Sequence, residues 1–430
     1  MIITEGEITN GVLKETIESN VLRRNSKLMM LSNLLSKADK NLIVSIDGRW
    51  GSGKTFFVKQ FKYLIENIDD YTNNKEFDDY AKKSFRDLRD TSLVVYYNAW
   101  ENDMHNDALE SLMYNIMNEY PSMKDQLADF NSFKEMFMSF ARDFVYASSN
   151  GILDLDNFQK LESFEDLAKN IKTIEEKKKA FNNLIDCILG NKNRMILIID
   201  ELDRCKPSFA VELLETIKHF YNNDKITVIV STNNSELAHT IKKYYGENFD
   251  GYGYLNKFYD FSISMEGVNL KKYLQQRFNF CNNTYIHHDM SYLVMLHYDF
   301  SLRECNRFIT LYSMLRAYVE DDPKFGQEYD YIYKCILVPL ALALRMKNIE
   351  KYNSFVNGKG EDIINEYLDK EISNLKYEQW IRELAKIKEE ANYKDEVLKK
   401  YREVFNDEYK FGKYQFLDAV SMLGNELLIE

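Results

Sequence analysis

Gly48-Arg49-Trp50-Gly51-Ser52-Gly53-Lys54-Thr55 decides the fold of this chain. It fits G-x-x-x-x-G-K-[ST], a loop that cradles phosphates. Leu42-Ile43-Val44-Ser45-Ile46 precedes it and reads as a buried strand. Phe56 to Leu64 follows as an amphipathic helix. Strand, loop and helix therefore stand in the order that phosphate binding needs. Gly48, Gly51 and Gly53 permit positive φ and close backbone approach. Successive N–H groups then point into one concavity at the positive end of a helix. The loop is expected to hold a nucleoside triphosphate through Gly48, Trp50, Gly51, Ser52, Gly53, Lys54, Thr55 and Phe56. Lys54 is expected to face the β and γ phosphates, and the Thr55 hydroxyl to sit on Mg²⁺.

A second stretch supports the first. Arg194-Met195-Ile196-Leu197-Ile198-Ile199 runs apolar into Asp200-Glu201-Leu202-Asp203-Arg204. A buried strand ending in an acidic pair is the Walker B arrangement. Asp200 is expected to hold Mg²⁺, through water or Thr55. Glu201 is expected to orient or deprotonate the attacking water. Helix capping explains Asp203 at most, because Pro207-Ser208-Phe209 follows. Ligands of open α/β sheets gather at the carboxyl ends of such strands.

The 430 residues allow two or three domains with real cores. At 45% hydrophobic content the chain is globular, and with 4 prolines and 16 glycines it reads as helix-rich. A net charge of −12 argues against broad binding to nucleic acid or anionic membrane. Cys187, Cys205, Cys281, Cys305 and Cys335 are scattered, as expected of reduced thiols in a cytoplasmic protein. His287-His288 reads as a solvated loop. The N-terminus has no signal-peptide pattern. No uncharged apolar run reaches about 18 residues, so no membrane span is expected.

Residues 1–40 read as a helical lead-in, with Leu22, Leu28, Leu31, Leu34 and Leu35 at helical spacing. Arg23-Arg24 fits a solvated charged face better than an approach to nucleotide. Further strands are expected at 93–98, 226–231 and 259–265. Alternation of strand and helix implies right-handed crossovers and a parallel α/β sheet. An extra strand between the P-loop and Walker B strands marks the P-loop NTPases that carry their own catalytic glutamate. Asn233 ends the fourth strand, either as a γ-phosphate sensor or as a turn former. Trp50 is expected to pack in the core against Trp100, at the end of the neighbouring strand. Over 90 residues separate Trp100 from Arg194, more than a crossover needs. They read as helices at 108–120, 130–146 and 164–189, broken at Ser148-Ser149-Asn150-Gly151. Beyond the sheet, 269–280 and 290–318 read as helices, and Gly358-Lys359-Gly360 as a loop. The expected organisation is a core of 1–100 with 194–265, a helical insertion at 101–193, a lid-type subdomain at 266–325 and a helical C-terminal region at 326–430.

These residues resemble the KAP family of P-loop NTPases. The Trp50-Gly51-Ser52-Gly53-Lys54 form, Asn98-Ala99-Trp100 after strand two, and Asp200-Glu201-Leu202-Asp203-Arg204-Cys205 match that family. Ser301-Leu302-Arg303 to Arg307 is similar to its C-terminal arginine motif, with Leu302 where members often have Pro. The resemblance covers about residues 20–315. It implies ATP as the nucleotide, with Arg303 reaching it in cis. It also implies a relation to AAA+ and STAND switches, with self-association and links to phage defence. Many members insert transmembrane helices; here Lys134, Glu135, Arg142 and Asp143 interrupt the apolar part of the insertion, which implies a soluble variant. The expected activity is an Mg·ATP-driven conformational or assembly switch; the alternative is a nucleotide-binding scaffold with little turnover. A DNA motor lacks an aromatic–basic motif. A protein partner is expected on 101–193 or 326–430, and nucleotide-dependent self-association through an arginine, with Arg204 the candidate for reaching a second copy.

Overall fold

The computed structural model describes residues 8–119 apart from 39, 40 and 106, and 181–265 apart from 183, 187, 221 and 222. It also describes 270–278, 286–320, and 332–405 apart from 373, 374, 385, 386, 389 and 390. The helices expected at 130–146 and over most of 164–189, the break at 148–151 and the insertion charges lie outside the described residues. The chain divides into two compact units, 8–267 and 268–430.

The first unit is built on a five-stranded parallel sheet. Its strands are β1 (Ile43–Asp47), β2 (Ser92–Asn98), β3 (Arg194–Asp200), β4 (Ile226–Thr232) and β5 (Phe261–Ser264). The order is β2-β3-β4-β1-β5. The strand between β1 and β3 in space is thus β4, while β2 lies at one edge. Two strands separate β2 from β1, so Trp100 does not end a neighbour of the P-loop strand.

Strand side chains alternate between faces. Met195, Leu197 and Ile199 join one core with Val228 and Val230. This core is covered by α5 (Ala108–Glu119), α6 (Pro207–Phe220), α7 (Asn234–Tyr245) and α8 (Gly251–Phe258). Ile196, Ile198 and Ile229 join the opposite core, with Val44, Ile46, Phe57 and Phe61. Here α1 (Asn10–Ser19), α2 (Asn25–Ser36), α3 (Lys54–Asn67) and α4 (Asp79–Thr91) pack on the sheet. Burial on both faces explains why β3 and β4 read as unbroken apolar runs. The same alternation puts Asp200 on the face of Ile196 and Ile198. That is the face covered by α3, the helix that begins with Lys54.

The second unit is helical: α9 (Leu270–Phe278), α10 (Ile286–His297), α11 (Leu302–Glu320), a π turn at Tyr333–Leu337, α12 (Val338–Lys347), α13 (Ile349–Val356), α14 (Glu361–Glu371), α15 (Leu375–Leu384) and α16 (Tyr393–Phe405). One core runs from Leu274 through Phe308 and Leu340 to Tyr401. It is shared by the residues expected as a lid and those expected as a C-terminal region. The helix expected over 290–318 is two helices. Asp299 adopts φ +50°, and Phe300 turns into the core. A capping box then starts α11: Glu304 N–H donates to Ser301 Oγ at 3.3 Å, and Ser301 N–H to Glu304 Oε2 at 2.7 Å. Gly358-Lys359-Gly360 is the expected loop, between α13 and α14. The Tyr401 hydroxyl pins it, accepting from Gly360 N–H at 2.7 Å and donating to Phe355 O at 2.6 Å.

Candidate functional site

The loop after β1 has the backbone that its glycines predict. Gly51 and Gly53 adopt φ +74° and +83°, where a Cβ is strained. At Gly48 the constraint is space: a Cβ would lie 2.6 Å from Ser52 Oγ and 2.9 Å from Met265 Cβ. Gly53 is the N-cap of α3, so Lys54, Thr55 and Phe56 form its first turn. Lys54 is buried, and its ammonium donates to Gly48 O at 2.6 Å and Arg49 O at 3.3 Å. Burial lowers its pKa, against the opposing fields of Asp203 and Asp200. The buried Ser52 Oγ has no hydrogen-bond partner. A loop with an orphaned hydroxyl, a buried ammonium and a helix N-terminus fits a phosphate group.

At the end of β3, Asp200 is fully buried. It accepts from the Tyr96 hydroxyl at 3.0 Å and from Glu201 N–H at 3.0 Å. Burial and the Asp200 charge push the Tyr96 phenol up, so it stays a donor. Glu201 adopts φ +60°. A non-glycine residue there is uncommon and turns the chain sharply off the strand. One carboxylate oxygen of Glu201 lies 3.1 Å from Arg204 Nη2, and the other accepts from Asn98 Nδ2 at 3.3 Å. Burial raises the Glu201 carboxyl; Arg204 opposes that rise and Asp200 adds to it. The Arg204 guanidinium also lies over the Trp100 ring, 5.2 Å from its centroid. Among the described residues no three His, Cys, Asp or Glu side chains gather as a metal site. Mg²⁺ is usually held by one or two carboxylates with water and phosphate oxygens, a habit that the single buried Asp200 carboxylate fits.

Three expectations need correction. Trp50 and Trp100 are not core residues: they are 50% and 49% exposed and serve different partners. Trp50 Nε1 donates to Asp203 Oδ2 at 2.5 Å. Asp203 is not a helix cap. It is buried and also accepts from Thr232 Oγ1 at 3.1 Å, so it ties the P-loop to the end of β4. Arg24 is not on a solvated face; it is 4% exposed and donates to the carbonyls of Ser52 and Gly53. Its neighbour Arg23 is exposed.

Asn233 is buried at the N-cap position of α7 but makes no side-chain capping bond. Arg303 is exposed on α11 of the second unit. Asn98 and Tyr96 are site neighbours that the sequence did not single out for a role. The available signals were that their strand ends where the acidic pair does and, for Asn98, that it opens the Asn98-Ala99-Trp100 motif.

The model of the KAP family P-loop domain matches residues 24–319, well over half of the chain. Among curated proteins none matches significantly. Five parallel strands with β4 between β1 and β3 agree with that match, and the family implies nucleotide binding. No helix among the described residues is long and apolar enough to cross a membrane. The P-loop, the acidic pair at the end of β3 and the matched span together make this chain a member of the KAP family of P-loop NTPases.

Proposed function

We propose that the chain binds and hydrolyses Mg·ATP, and that hydrolysis drives a switch in conformation or assembly. The observation that carries this is the buried Lys54 ammonium of the P-loop, set where the charges of Asp203 and of Asp200, at the end of β3, act on it. Lys54 exchanges its loop carbonyls for β and γ phosphate oxygens. Thr55 and Asp200 hold Mg²⁺, which when bound neutralises charge on the phosphoryl group. Glu201 orients the attacking water and takes its proton. Asn233, at the end of β4, senses the γ-phosphate, and Arg303 reaches the nucleotide. ATP over GTP, a cytoplasmic setting and a place in anti-phage defence are family-based parts of the proposal.

Glu201→Gln is expected to bind Mg·ATP but hydrolyse it at least about a hundredfold more slowly, the loss of a general base. Lys54→Ala is expected to lose binding. Undiminished calorimetric affinity in Lys54→Ala, or an unchanged single-turnover rate in Glu201→Gln, overturns the assignment. A second reading, a scaffold that retains nucleotide with little turnover, is favoured by one observation: Arg204 and Asn98 already occupy both oxygens of Glu201. Steady-state turnover compared with retained nucleotide separates the two.

A further inference from the structure

We infer that Arg24 is a positioning residue for phosphate binding, which sets the direction of two P-loop amides from behind. It donates through Nη1 to Gly53 O at 3.0 Å and through Nη2 to Ser52 O. These are consecutive carbonyls. Each shares a rigid plane with the following N–H, which points the opposite way in a trans peptide. A planar fork on the Ser52 and Gly53 carbonyls therefore aims the N–H groups of Gly53 and Lys54 away from Arg24, into the concavity. Charge-assisted bonds of this kind are short and strong, and they polarise the peptide so that its N–H becomes a better donor. Gly53 O also accepts from Phe57 N–H at 3.1 Å, so the fork and the first helical bond share one oxygen.

Two further observations make the contact a built one. A Cβ on Gly53 would come within 2.8 Å of Arg24 Nη1, so the glycine leaves room for the guanidinium as well as supplying positive φ. Arg24 itself is held at the start of α2 by its surroundings. Asn25 Nδ2 donates to Ile17 O at 2.9 Å, and Lys27 reaches Ser264 O at the end of β5. Gln60 of α3 donates to Thr16 of α1 at 3.1 Å. The N-terminus of α2, tied to α1 through Asn25, thus carries the guanidinium that shapes the loop. Lys lacks the two-pronged fork, so the role is specific to Arg.

Arg24 has this role only if the loop holds a di- or triphosphate, as proposed above. The test is calorimetric titration of wild type, Arg24→Gln, Arg24→Lys and Lys54→Ala with Mg·ATP and Mg·ADP. It is paired with melting without nucleotide and with hydrogen exchange across residues 48–55. The expected result is a tenfold or greater loss of affinity for both nucleotides in Arg24→Gln and a smaller loss in Arg24→Lys. P-loop amides should exchange faster while the melting temperature stays near wild type. The cost should fall on KM more than on kcat, because the two amides also hold the ground state. Affinity within twofold of wild type in either Arg24 variant overturns the inference. So does a loss that comes with lowered melting and unchanged exchange at 48–55. If Arg24→Gln does not fold, Arg24→Lys, which keeps the charge and stem, carries the test. If wild type binds neither nucleotide, the phosphate reading of the loop falls, and the role of Arg24 with it.

Discussion

Trp50 is the aromatic residue of the P-loop, and its indole faces two ways. Its N–H meets the buried Asp203 carboxylate, while half of its surface is in solvent. Filling the adjacent cradle with phosphate changes the field at the ring. Addition of Mg·ATP is therefore expected to change intrinsic fluorescence. The signal should persist in Trp380→Phe and vanish in Trp50→Phe; its survival in Trp50→Phe would assign it to Trp100. Removing the indole N–H also leaves Asp203 with a weaker set of donors. A bond to a charged acceptor is worth about 1.5–3 kcal/mol, and water reaches this half-exposed ring. Trp50→Phe should thus cost about 1 kcal/mol of stability by thermal melting.

Among the elements, α11 shows how local chemistry sets a boundary. Ser301 and Glu304 exchange capping bonds, and Lys347 of α12 pairs with Glu304 at 2.6 Å. Burial pushes the Glu304 carboxyl up, but the bonds from Lys347 and Ser301 outweigh it and hold the group below its ordinary value. A folded-state value below the unfolded one means stability that is complete above the ordinary carboxylate range and lost as pH falls through the folded value. Glu304→Gln should destabilise the second unit by roughly 0.5–1 kcal/mol at neutral pH, since the pair is partly solvated. That difference should shrink in melts from about pH 4.5 downward. A difference that stays constant with pH would leave the capping bonds, not the charge, as its cause.

For the whole molecule, the proposed switch predicts that nucleotide changes association. Sedimentation of wild type with a non-hydrolysable ATP analogue is expected to differ from the nucleotide-free protein, and Arg303→Ala is expected to slow hydrolysis. One unchanged sedimentation coefficient across nucleotide states and concentrations would make the protein a monomeric switch. Arg204→Ala belongs in the same series. Its guanidinium is engaged within the chain by Glu201 and Trp100, so a role toward a second copy requires it to leave both. Unaltered association in Arg204→Ala would confine it to holding Glu201.

The P-loop, the acidic pair and the parallel sheet were legible in the sequence because each rests on a local rule. Positive φ needs glycine at Gly51 and Gly53, and a strand buried on both faces must be apolar throughout, as Met195 to Ile199 are. Tertiary structure decided the rest, because its partners are distant in sequence. Arg24 meets carbonyls 28 and 29 residues away, and nothing beside it marks it for burial. Trp50 meets Asp203 across 153 residues; an indole suits a core or a wet hydrogen bond equally, and only the approach of the Walker B turn settles which. Asp203 carries the acidity that favours a cap, yet the strand order brings Thr232 and the P-loop to it instead. The turn at Asp299 breaks a stretch whose periodicity is helical on both sides, because burial of Phe300 outweighs the local preference to continue.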